Sequence, residues 1–343
     1  MTRGRVLVAM SGGVDSSVAA ALLLEQGYDV TGVTLKLWDG PSDSGCCAVS
    51  DVEDARRVAA QLGIPHYVFN FSREFGERVV EPYTRAYASG RTPNPCVDCN
   101  TQIKFGRLRE RADVLGFDQL ATGHHARVRR AADGSARLVR GADRGKDQSY
   151  VLATLAPGEL ARTRFPVGEH TKADVRDIAA RLGLRTAEKP ESMDVCFVPR
   201  GGRERFLAAR GALRPGPIVS ADGQVVGRHR GVGTVTLGQR RGLGVAAGDP
   251  RYVVAVDAAR DTVTIGPRDL LLRDSVPVRD WTFASGHPGD RALTAQSRAH
   301  AEAVDATLDG DVVRFARPQP AVAPGQVVAL YDGDVVVGGG VAA

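Results

Sequence analysis

The sequence lacks the features that would place a protein in a membrane or outside the cell. It has no apolar run near the roughly 18 residues that a membrane-spanning helix needs. Its first residues, MTRGRVLVAMSGG, do not form a secretory signal peptide. Cysteine occurs only five times, an odd number at uneven spacing, which argues against a disulfide framework and for reduced, reactive thiols. We therefore expect a cytoplasmic protein with no membrane association.

The charge balance leaves two interpretations open. A net charge of +5 and an isoelectric point near 9.1 are compatible with a nucleic-acid partner. A basic surface without any partner explains the same numbers equally well. The length of 343 residues predicts two or three domains.

The first half of the chain predicts strands and helices in alternation. Short apolar runs bounded by turn residues predict strands, and segments with helix caps predict helices. The predicted strands are Arg5–Ala9, Asp29–Trp38, His66–Phe71 and Gln119–His124, and the predicted helices are Ser16–Gln26, Ser50–Gly63, Ser72–Gly90 and Thr101–Gly116. This alternation predicts an α/β fold, a doubly wound parallel sheet with ligands at the carboxyl ends of its strands. From about Arg203, short β-branched runs between Gly and Pro turns predict one or two small β-barrel domains.

The stretch SGGVDS, Ser11–Ser16, joins the first predicted strand to a helix, so backbone N–H groups and the positive helix end face an anion. It lacks the lysine of the G-x-x-x-x-G-K-[ST] loop, which acts on β- and γ-phosphates. It resembles instead the PP-loop of the N-type ATP pyrophosphatases. The resemblance implies that the anion is the pyrophosphate end of ATP and that attack falls on the α-phosphate. Asp15 helps to hold Mg²⁺ in one interpretation and caps the helix in the other, and a generic Gly-rich turn is the structural alternative.

A second motif, GRTPNPCVDCNTQIKF at 90–105, presents Cys96 and Cys99 in a Pro-rich loop before a helix. A lone C-x-x-C fits zinc or redox chemistry, and no second pair follows at zinc-finger spacing. Cys99 precedes the helix expected from Thr101, and there the helix dipole would lower the pKa of a thiol. The remaining cysteines are Cys46, Cys47 and Cys196.

Seven motifs in order make the chain resemble the tRNA-specific 2-thiouridylase family over essentially its whole length. They are MSGGVDSSVAA at 10–20, GRTPNPCVDCNTQIKF at 90–105, ATGHHAR at 121–127, GKDQSYVL at 145–152, ESMDVCFV at 191–198, TLGQRRGLG at 236–244 and APGQVVALYDGDVVVGGG at 323–340. The resemblance implies a PP-loop domain at 1–200, a central β-rich domain at 201–271 and a tRNA-contacting β-barrel at 272–343. It also implies an ATP-dependent sulfurtransferase that makes 2-thiouridine at wobble position 34 of tRNAs for Lys, Glu and Gln.

The implied chemistry gives roles to two cysteines. The C2 oxygen of uridine attacks the α-phosphate of ATP, pyrophosphate leaves, and sulfur then displaces AMP from C2. By resemblance, Cys196 carries the sulfur as a persulfide and Cys99 is the other catalytic thiol, and the two can form a labile resting disulfide. A cysteine desulfurase or a sulfur-relay protein supplies the sulfur, and we expect a monomer. For Cys46 and Cys47 we favour a role as small buried side chains.

The same resemblance assigns the binding residues. Those for ATP, with Mg²⁺, are Ala9, Met10, Ser11, Gly12, Gly13, Val14, Asp15, Ser16, Leu35 and Gly123. Those for tRNA are Asn94, Pro95, Cys96, His124, Lys146, Asp147, Gln148, Arg298, Ala299 and Gln326. For Leu35 the alternative role is core packing, and His124 is alternatively a plain surface histidine. The segment Gln239–Arg241 either contacts the tRNA backbone or forms a solvated turn.

The sequence departs from the family pattern at two positions. Cys96 stands where members commonly have Asp, which leaves proton handling at the base unassigned. Ala299 replaces the tyrosine of an Arg-Tyr pair, so a stacking contact is missing unless His300 supplies it. Because the family pattern brings Cys96, Cys99 and Cys196 near one site, an iron–sulfur cluster held by these thiols is the alternative to plain persulfide chemistry.

Two other functions remain open from the sequence. The departures fit a divergent tRNA- or ATP-binding relative without sulfur transfer, although the intact Cys99 and Cys196 argue against it. Another PP-loop synthetase, of the amidotransferase type, would need a glutaminase or aminoacyl-recognition module. The β-rich second half predicts neither module.

Overall fold

The computed structural model describes residues 2–38, 49–190, 195–198, 201–245, 249–299 and 301–343. Within these ranges, no helix has the length and the apolar character that crossing a membrane requires. The strands are β1 (Arg5–Ala9), β2 (Asp29–Lys36), β3 (His66–Asn70), β4 (Gln119–Thr122), β5 (Ala126–Arg130), β6 (Ala136–Arg140), β7 (Thr163–Arg164), β8 (Gly216–Ser220), β9 (Val225–His229), β10 (Tyr252–Asp257), β11 (Thr262–Gly266), β12 (Leu272–Phe283), β13 (Leu293–Gln296), β14 (Val304–Asp309), β15 (Val312–Pro320), β16 (Val327–Asp332) and β17 (Val335–Ala342).

Most helices lie in the first half of the chain, between the parallel strands. The α-helices are α1 (Val14–Glu25), α2 (Val49–Leu62), α3 (Ser72–Phe75), α4 (Glu81–Ala88), α5 (Pro95–Asp98), α6 (Leu108–Val114), α7 (Pro157–Ala161), α8 (Lys172–Arg181) and α9 (Arg203–Ala208). Two π-helical stretches, Gly76–Val80 and Cys99–Arg107, continue neighbouring helices, and short 3₁₀ helices lie at Ser149–Leu152, Pro166–Glu169, Val232–Thr234 and Arg268–Leu271.

The first sheet is parallel throughout and has the strand order β3-β2-β1-β4-β7. Its two faces are covered because alternate residues of β1 enter different clusters. Val6 and Val8 pack with α1 and α8, whereas Leu7 packs on the opposite face with residues of the helix that follows Cys99. Since the strand order reverses at β1, the crevice between the ends of β1 and β4 is the expected ligand position for an open parallel sheet.

The second half of the chain forms two β structures. β10, β11, β8 and β9 make a small four-stranded sheet, while β12, β15, β14, β13, β16 and β17 close into a barrel because β12 pairs with both β15 and β17. The predicted fold class, a parallel sheet followed by a small β domain and a barrel, is therefore confirmed. The domain limits at 200 and 271 stay predictions.

The hairpin β5–β6 was not expected, and it leaves the first sheet. It joins the barrel sheet instead, where Val139 pairs with Val335 of β17. The Arg140 guanidinium packs over the ring of Tyr331, 3.6 Å from its centroid, and donates to Asp147 over 2.8 Å. Both partners of this ion pair are almost fully buried. The hairpin thus fastens the first part of the chain to the barrel.

Candidate nucleotide and thiol site

The turn between β1 and α1 holds the residues that the sequence assigns to ATP. Gly12 has φ +73° and lies directly against the backbone carbonyl of Asp51, so that a Cβ atom there would overlap this oxygen. Only glycine fits both conditions. Gly123 is equally confined at the end of β4, because a Cβ would lie 2.6 Å from the amide nitrogen of Ser16. The two glycines allow β4 and α2 to contact the loop Ser11–Ser16, which we call the phosphate loop.

Hydroxyl groups fix the shape of this loop. The amide of Ser11 donates to Ser16 Oγ over 3.1 Å, and Ser16 Oγ donates to the carbonyl oxygen of Gly13 over the same distance. Ser17 Oγ donates to this carbonyl as well, over 2.9 Å. The side chain of Val14 is buried in the core, so its part in any anion site falls to its backbone amide. These hydrogen bonds therefore hold the loop against the first turn of α1.

Lys172 and His125 meet the carboxylate of Asp15, and neither contact was predicted. Lys172 Nζ lies 2.7 Å from both carboxylate oxygens, and His125 Nε2 lies 3.1 Å from Oδ1. Lys172 begins α8, and its amide donates to Asp143 over 3.0 Å. Burial raises the pKa of Asp15, but the hydrogen bonds and charges of His125 and Lys172 outweigh it, so the pKa lies below its ordinary value. The carboxylate is thus ionised and paired rather than capping α1.

His124 is not the plain surface histidine that stood as the alternative for it, because its side chain is buried between the rings of Phe105 and Phe165. Its contact with tRNA stays a prediction. Its Nδ1 lies 2.6 Å from Thr122 Oγ1. Burial, with the nearby charges of Lys104 and His125, holds the pKa of His124 well below its usual range. The second histidine of the pair, rather than the first, reaches the phosphate loop.

Leu35 lies in the large core cluster on the side of the sheet that also contains Leu7 and Cys99. This position agrees with the core-packing alternative. Its contact with an adenine stays a prediction, as do the ATP contacts of Ala9, Met10 and the loop itself.

The cysteine loop enters its helix earlier than predicted. The helix begins at Pro95, because the Asn94 side chain caps it by accepting from the Cys96 amide over 3.1 Å. Cys96 therefore lies in the first turn, and Cys99 begins the π-helical stretch one turn further on. The expected start near Thr101 was wrong, and the position next to the helix N-terminus belongs to Cys96 rather than Cys99. Cys99 itself is buried.

Asp98 is a site residue that the sequence analysis missed. It lies directly before Cys99, and burial raises the pKa of its carboxyl group to about 6. A group that titrates near neutral pH can both take and give a proton under working conditions. The signal in the sequence was an acidic residue between two cysteines, two positions after Cys96, where the family commonly has Asp.

Cys196 is placed by its neighbour Phe197. The Phe197 ring contacts the rings of Trp38, Phe75, Tyr83 and Phe206, so that the segment is anchored in an aromatic cluster. Cys196 packs against the same core cluster that includes Cys99. Cys96, Cys99 and Cys196 are each present as a thiol. Cys46 and Cys47, for which a buried structural role was expected, lie outside the described residues, as does His300.

The described residues do not form a ready metal site. No three His, Cys, Asp or Glu side chains among them are grouped so that they could hold a metal ion. A cluster held by Cys96, Cys99 and Cys196 stays the alternative prediction to plain persulfide chemistry. The phosphate loop offers one carboxylate, Asp15, which fits Mg²⁺ because this ion binds largely through substrate phosphates and water.

The turn assigned to tRNA is tied to the interior by two of its three side chains. Asp147 accepts from Arg140, from the amides of Gly141 and Ser149, and from Ser149 Oγ, all over 2.8–3.0 Å. Gln148 is exposed, and its Oε1 accepts from the His125 amide over 2.9 Å. The turn is thereby coupled to the histidine that contacts Asp15. Contacts of Lys146, Asp147 and Gln148 with tRNA stay predictions.

The barrel residues assigned to tRNA border the cysteine loop. Gln326 Nε2 donates to the carbonyl oxygen of Thr92 over 2.6 Å, two residues before Asn94. Arg298 is exposed, and its charge acts on the buried hydroxyl of Tyr150, which also neighbours Asn94. Ala299 packs against the main core cluster. The structure thus brings Gln326 to Thr92, and it brings Arg298 and Asn94 to the same residue, Tyr150, although more than 200 positions separate the barrel residues from the cysteine loop.

Three family models match successive parts of the chain. The model described as tRNA methyl transferase HUP domain matches residues 4–200. Those described as tRNA methyl transferase PRC-barrel domain and Aminomethyltransferase beta-barrel domain match residues 204–267 and 273–342. The three matches follow the order of the parallel sheet, the small β sheet and the barrel.

Curated relatives match the chain along almost its entire length, and those compared here carry the name tRNA-specific 2-thiouridylase MnmA. The protein from Roseiflexus sp. (strain RS-1) is 52% identical over 366 residues, which cover 98% of each chain. The protein from Chloroflexus aurantiacus (strain ATCC 29366 / DSM 635 / J-10-fl) is 51% identical over 348 residues, covering 98% of this chain and 97% of the relative. The protein from Geobacter metallireducens is 48% identical, with 98% and 96% covered.

Proposed function

The chain belongs to the tRNA-specific 2-thiouridylase family, and from this premise we propose that it converts uridine 34 of tRNA into 2-thiouridine with consumption of ATP. The observation that carries the proposal is the identity of 52% to a relative of that name over 98% of the chain. The substrates are tRNAs of the Lys, Glu and Gln type. A cysteine desulfurase or a sulfur-relay protein delivers the sulfur, and the enzyme works as a cytoplasmic monomer.

The first step is adenylation of the base. The C2 oxygen of uridine forms a bond to the α-phosphorus of ATP, the bond from this phosphorus to the bridging oxygen breaks, and pyrophosphate leaves. The amides of the Ser11–Ser16 loop and the first turn of α1 bind the leaving pyrophosphate. Lys172 adds a positive charge at the same place. Asp15 would hold Mg²⁺, which supplies further positive charge to the phosphates.

The second step transfers sulfur. The terminal sulfur of a persulfide on Cys196 attacks C2, and the C2–O bond breaks as AMP leaves. The Cys99 thiolate then attacks Sγ of Cys196, which breaks the bond to the transferred sulfur and releases 2-thiouridine. The cysteines end as a Cys99–Cys196 disulfide, and the two thiol protons leave to solvent or a base. A thiol reductant returns the pair to the thiol state found in the structure.

Asp98 acts as the general acid or base, in place of the Asp that family members commonly have at the position of Cys96. Its support is a pKa raised to about 6 by burial and its place next to Cys99. A general acid or base works best when its pKa lies near the working pH.

Mass spectrometry of tRNA nucleosides tests the function directly. Unmodified tRNA is incubated with the enzyme, ATP and a sulfur source, and we expect wobble uridine to gain one sulfur in place of one oxygen. An ATP analogue with an uncleavable α,β-bridge and the Cys99→Ser variant are the controls, and both should give no product. Release of pyrophosphate and AMP without any thionucleoside, from every sulfur source, would instead identify a divergent relative that lacks sulfur transfer.

A further inference from the structure

A cavity of about 330 Å³ lies where the three parts of the fold meet. Thr92 lines it from the cysteine loop, Thr236 and Gln239 from the small β domain, and Ser297, Arg298 and Gln326 from the barrel. Its volume is at the lower end of the range of about 300–1,000 Å³ that is usual for small-ligand pockets. The cavity therefore has room for one small planar group, and every part of the fold contributes to its wall.

Hydrogen bonds between the parts hold the walls in place. The Thr92 amide donates to the carbonyl of Pro324 over 2.7 Å, and Gln326 returns a bond to the Thr92 carbonyl. Among the lining residues of the small β domain, the Gly238 amide donates to the carbonyl oxygen of Val253 over 2.8 Å. Hydrogen-bonded backbone thus supports the walls of a cavity that is open to solvent on one side.

The lining has the chemistry of a nucleotide site. Hydroxyl and amide groups alternate with the apolar side chains of Leu237, Val322 and Ala323, and no carboxylate lines the cavity among the described residues. The Arg298 guanidinium faces the Gly238 turn, within 3.9 Å of where a Cβ of that residue would lie. Within the described part of the chain it makes no side-chain hydrogen bond or ion pair. The guanidinium can bind the phosphate of a nucleotide, and the neutral polar cavity beside it can bind the base.

The cavity lies next to the loop assigned to the modified uridine. Thr92 precedes Asn94 by two residues, so their Cα atoms are at most about 7.6 Å apart. Arg298 also acts on Tyr150, whose hydroxyl neighbours Asn94. An RNA strand that places one base at Asn94–Cys96 would therefore have a flanking nucleotide within reach of the cavity.

We propose that the cavity receives the base of a nucleotide that flanks the modified uridine, with Arg298 at its phosphate. This inference rests on the proposed function and adds a second contact that selects the substrate. RNA-binding proteins read sequence mainly from unstacked bases in loops, and a pocket one nucleotide from the reacting base supplies such a contact. A phosphate alone would need the guanidinium but not a concave space of about 330 Å³ beside it.

Anticodon stem-loop RNAs with an abasic residue at each position beside the target uridine test the proposal. With the wild-type protein, we expect one of these RNAs to bind about 5- to 150-fold more weakly, because one base contact contributes about 1–3 kcal/mol. Ser297→Leu and Thr236→Leu, which fill the cavity from two different domains, should weaken binding of the intact RNA. They should also remove the additional loss caused by the abasic residue. Ser285→Leu, an equal change on an exposed barrel loop, is the matched control.

Three results would overturn the inference. The first is a loss below twofold for every abasic RNA with the wild-type protein, which decides the question even where a filled variant fails to fold. The second is an abasic penalty of the same size in wild type and in both folded variants. The third is a loss of RNA affinity in the filled variants that appears only as a changed salt dependence. Such a result would indicate a phosphate contact without a base contact. The proposed function fails separately, if the binding pattern holds but no 2-thiouridine is formed.

Discussion

The ammonium nitrogen of Lys172 lies 2.7 Å from each carboxylate oxygen of Asp15, although 157 positions separate the two residues. The phosphate loop lacks a lysine of its own, and α8 supplies one at the same place. In the proposed mechanism, a lysine so near the loop moves to the pyrophosphate once Mg²⁺ competes for Asp15. The proposed mechanism therefore connects ATP binding to the position of α8.

Replacing Lys172 by Met should slow tRNA-dependent pyrophosphate release by about 100-fold, because one donor to a developing charge is lost. Lys172→Arg keeps the charge and should recover much of the rate. Arg109→Met breaks a comparable helix ion pair with Asp113, away from the loop, and controls for lost stability. Wild-type rates in Lys172→Met would reduce the lysine to a structural role.

Substitution of Asp15 or Ser16 by Ala should abolish adenylation and leave tRNA affinity largely unchanged. The reason is that the phosphate loop and the barrel residues Arg298 and Gln326 lie in different parts of the fold. Pyrophosphate release and RNA binding are measured on the same preparations. Pyrophosphate release at the wild-type rate in either variant would remove the loop from the mechanism.

Affinity for tRNA should fall steeply with salt, since phosphate contacts release counterions. Neutralising Lys146 or Arg298 should each reduce the slope of log K against log salt by about 0.7–0.9. Arg230→Ala, which removes a surface arginine paired with Glu204, should leave the slope unchanged. An unchanged slope in Lys146→Ala would show that this residue touches no phosphate.

Replacing Asp98 by Asn should raise the free energy of unfolding at neutral and alkaline pH but not at pH 4. Burial raises the pKa of the Asp98 carboxyl from 3.8 to about 6, so the protonated form is favoured in the folded chain. That advantage is complete below pH 4 and is lost as the pH rises through 6. The free energy of unfolding at pH 8 should therefore rise by up to about 3 kcal/mol in the variant, with little change at pH 4.

Urea unfolding at several pH values measures this difference, and Glu77→Gln, at an exposed carboxylate, is the control. If Asp98 handles a proton in catalysis, the variant also loses the limb of the pH–rate profile near pH 6. If the variant shows the expected change in stability but keeps the wild-type pH–rate profile, Asp98 affects stability and not catalysis.

Anaerobic purification, followed by iron and sulfide analysis, separates persulfide from cluster chemistry. Because the described thiols form no metal-ligand group, we expect an active, colourless, iron-free enzyme and an active Cys96→Asp variant. Bound iron that disappears together with activity in Cys96→Ser would contradict this expectation.

The elements predictable from sequence were those with local signals. β1 was predicted at its observed bounds, Arg5–Ala9, because a short apolar run precedes a glycine turn. α1 begins at Val14, two residues before the predicted start, since Gly13 rather than a polar residue precedes it. The helix at the cysteines begins at Pro95 because Asn94 caps it, a signal that the Pro-rich character of the loop concealed.

The missed features depend on contacts that are distant in sequence. The contact of Lys172 with Asp15 needs α8 to pack beside α1, and no local pattern reports such packing. The same holds for the burial of His124, since Phe105 and Phe165 come from separate elements. The resemblance located the right segments, but it could not say which histidine of the pair points to the loop.

The attachment of β6 to β17 also affects how the chain is made on the ribosome. The hairpin is synthesised long before Val335, its partner, so the first domain emerges with an unpaired sheet edge. Such edges invite association with other chains until they are covered. Gln326, which donates to the Thr92 carbonyl oxygen, is likewise synthesised 234 residues after its partner. The loop that contains Thr92 can therefore reach its final conformation only after translation has passed Gln326.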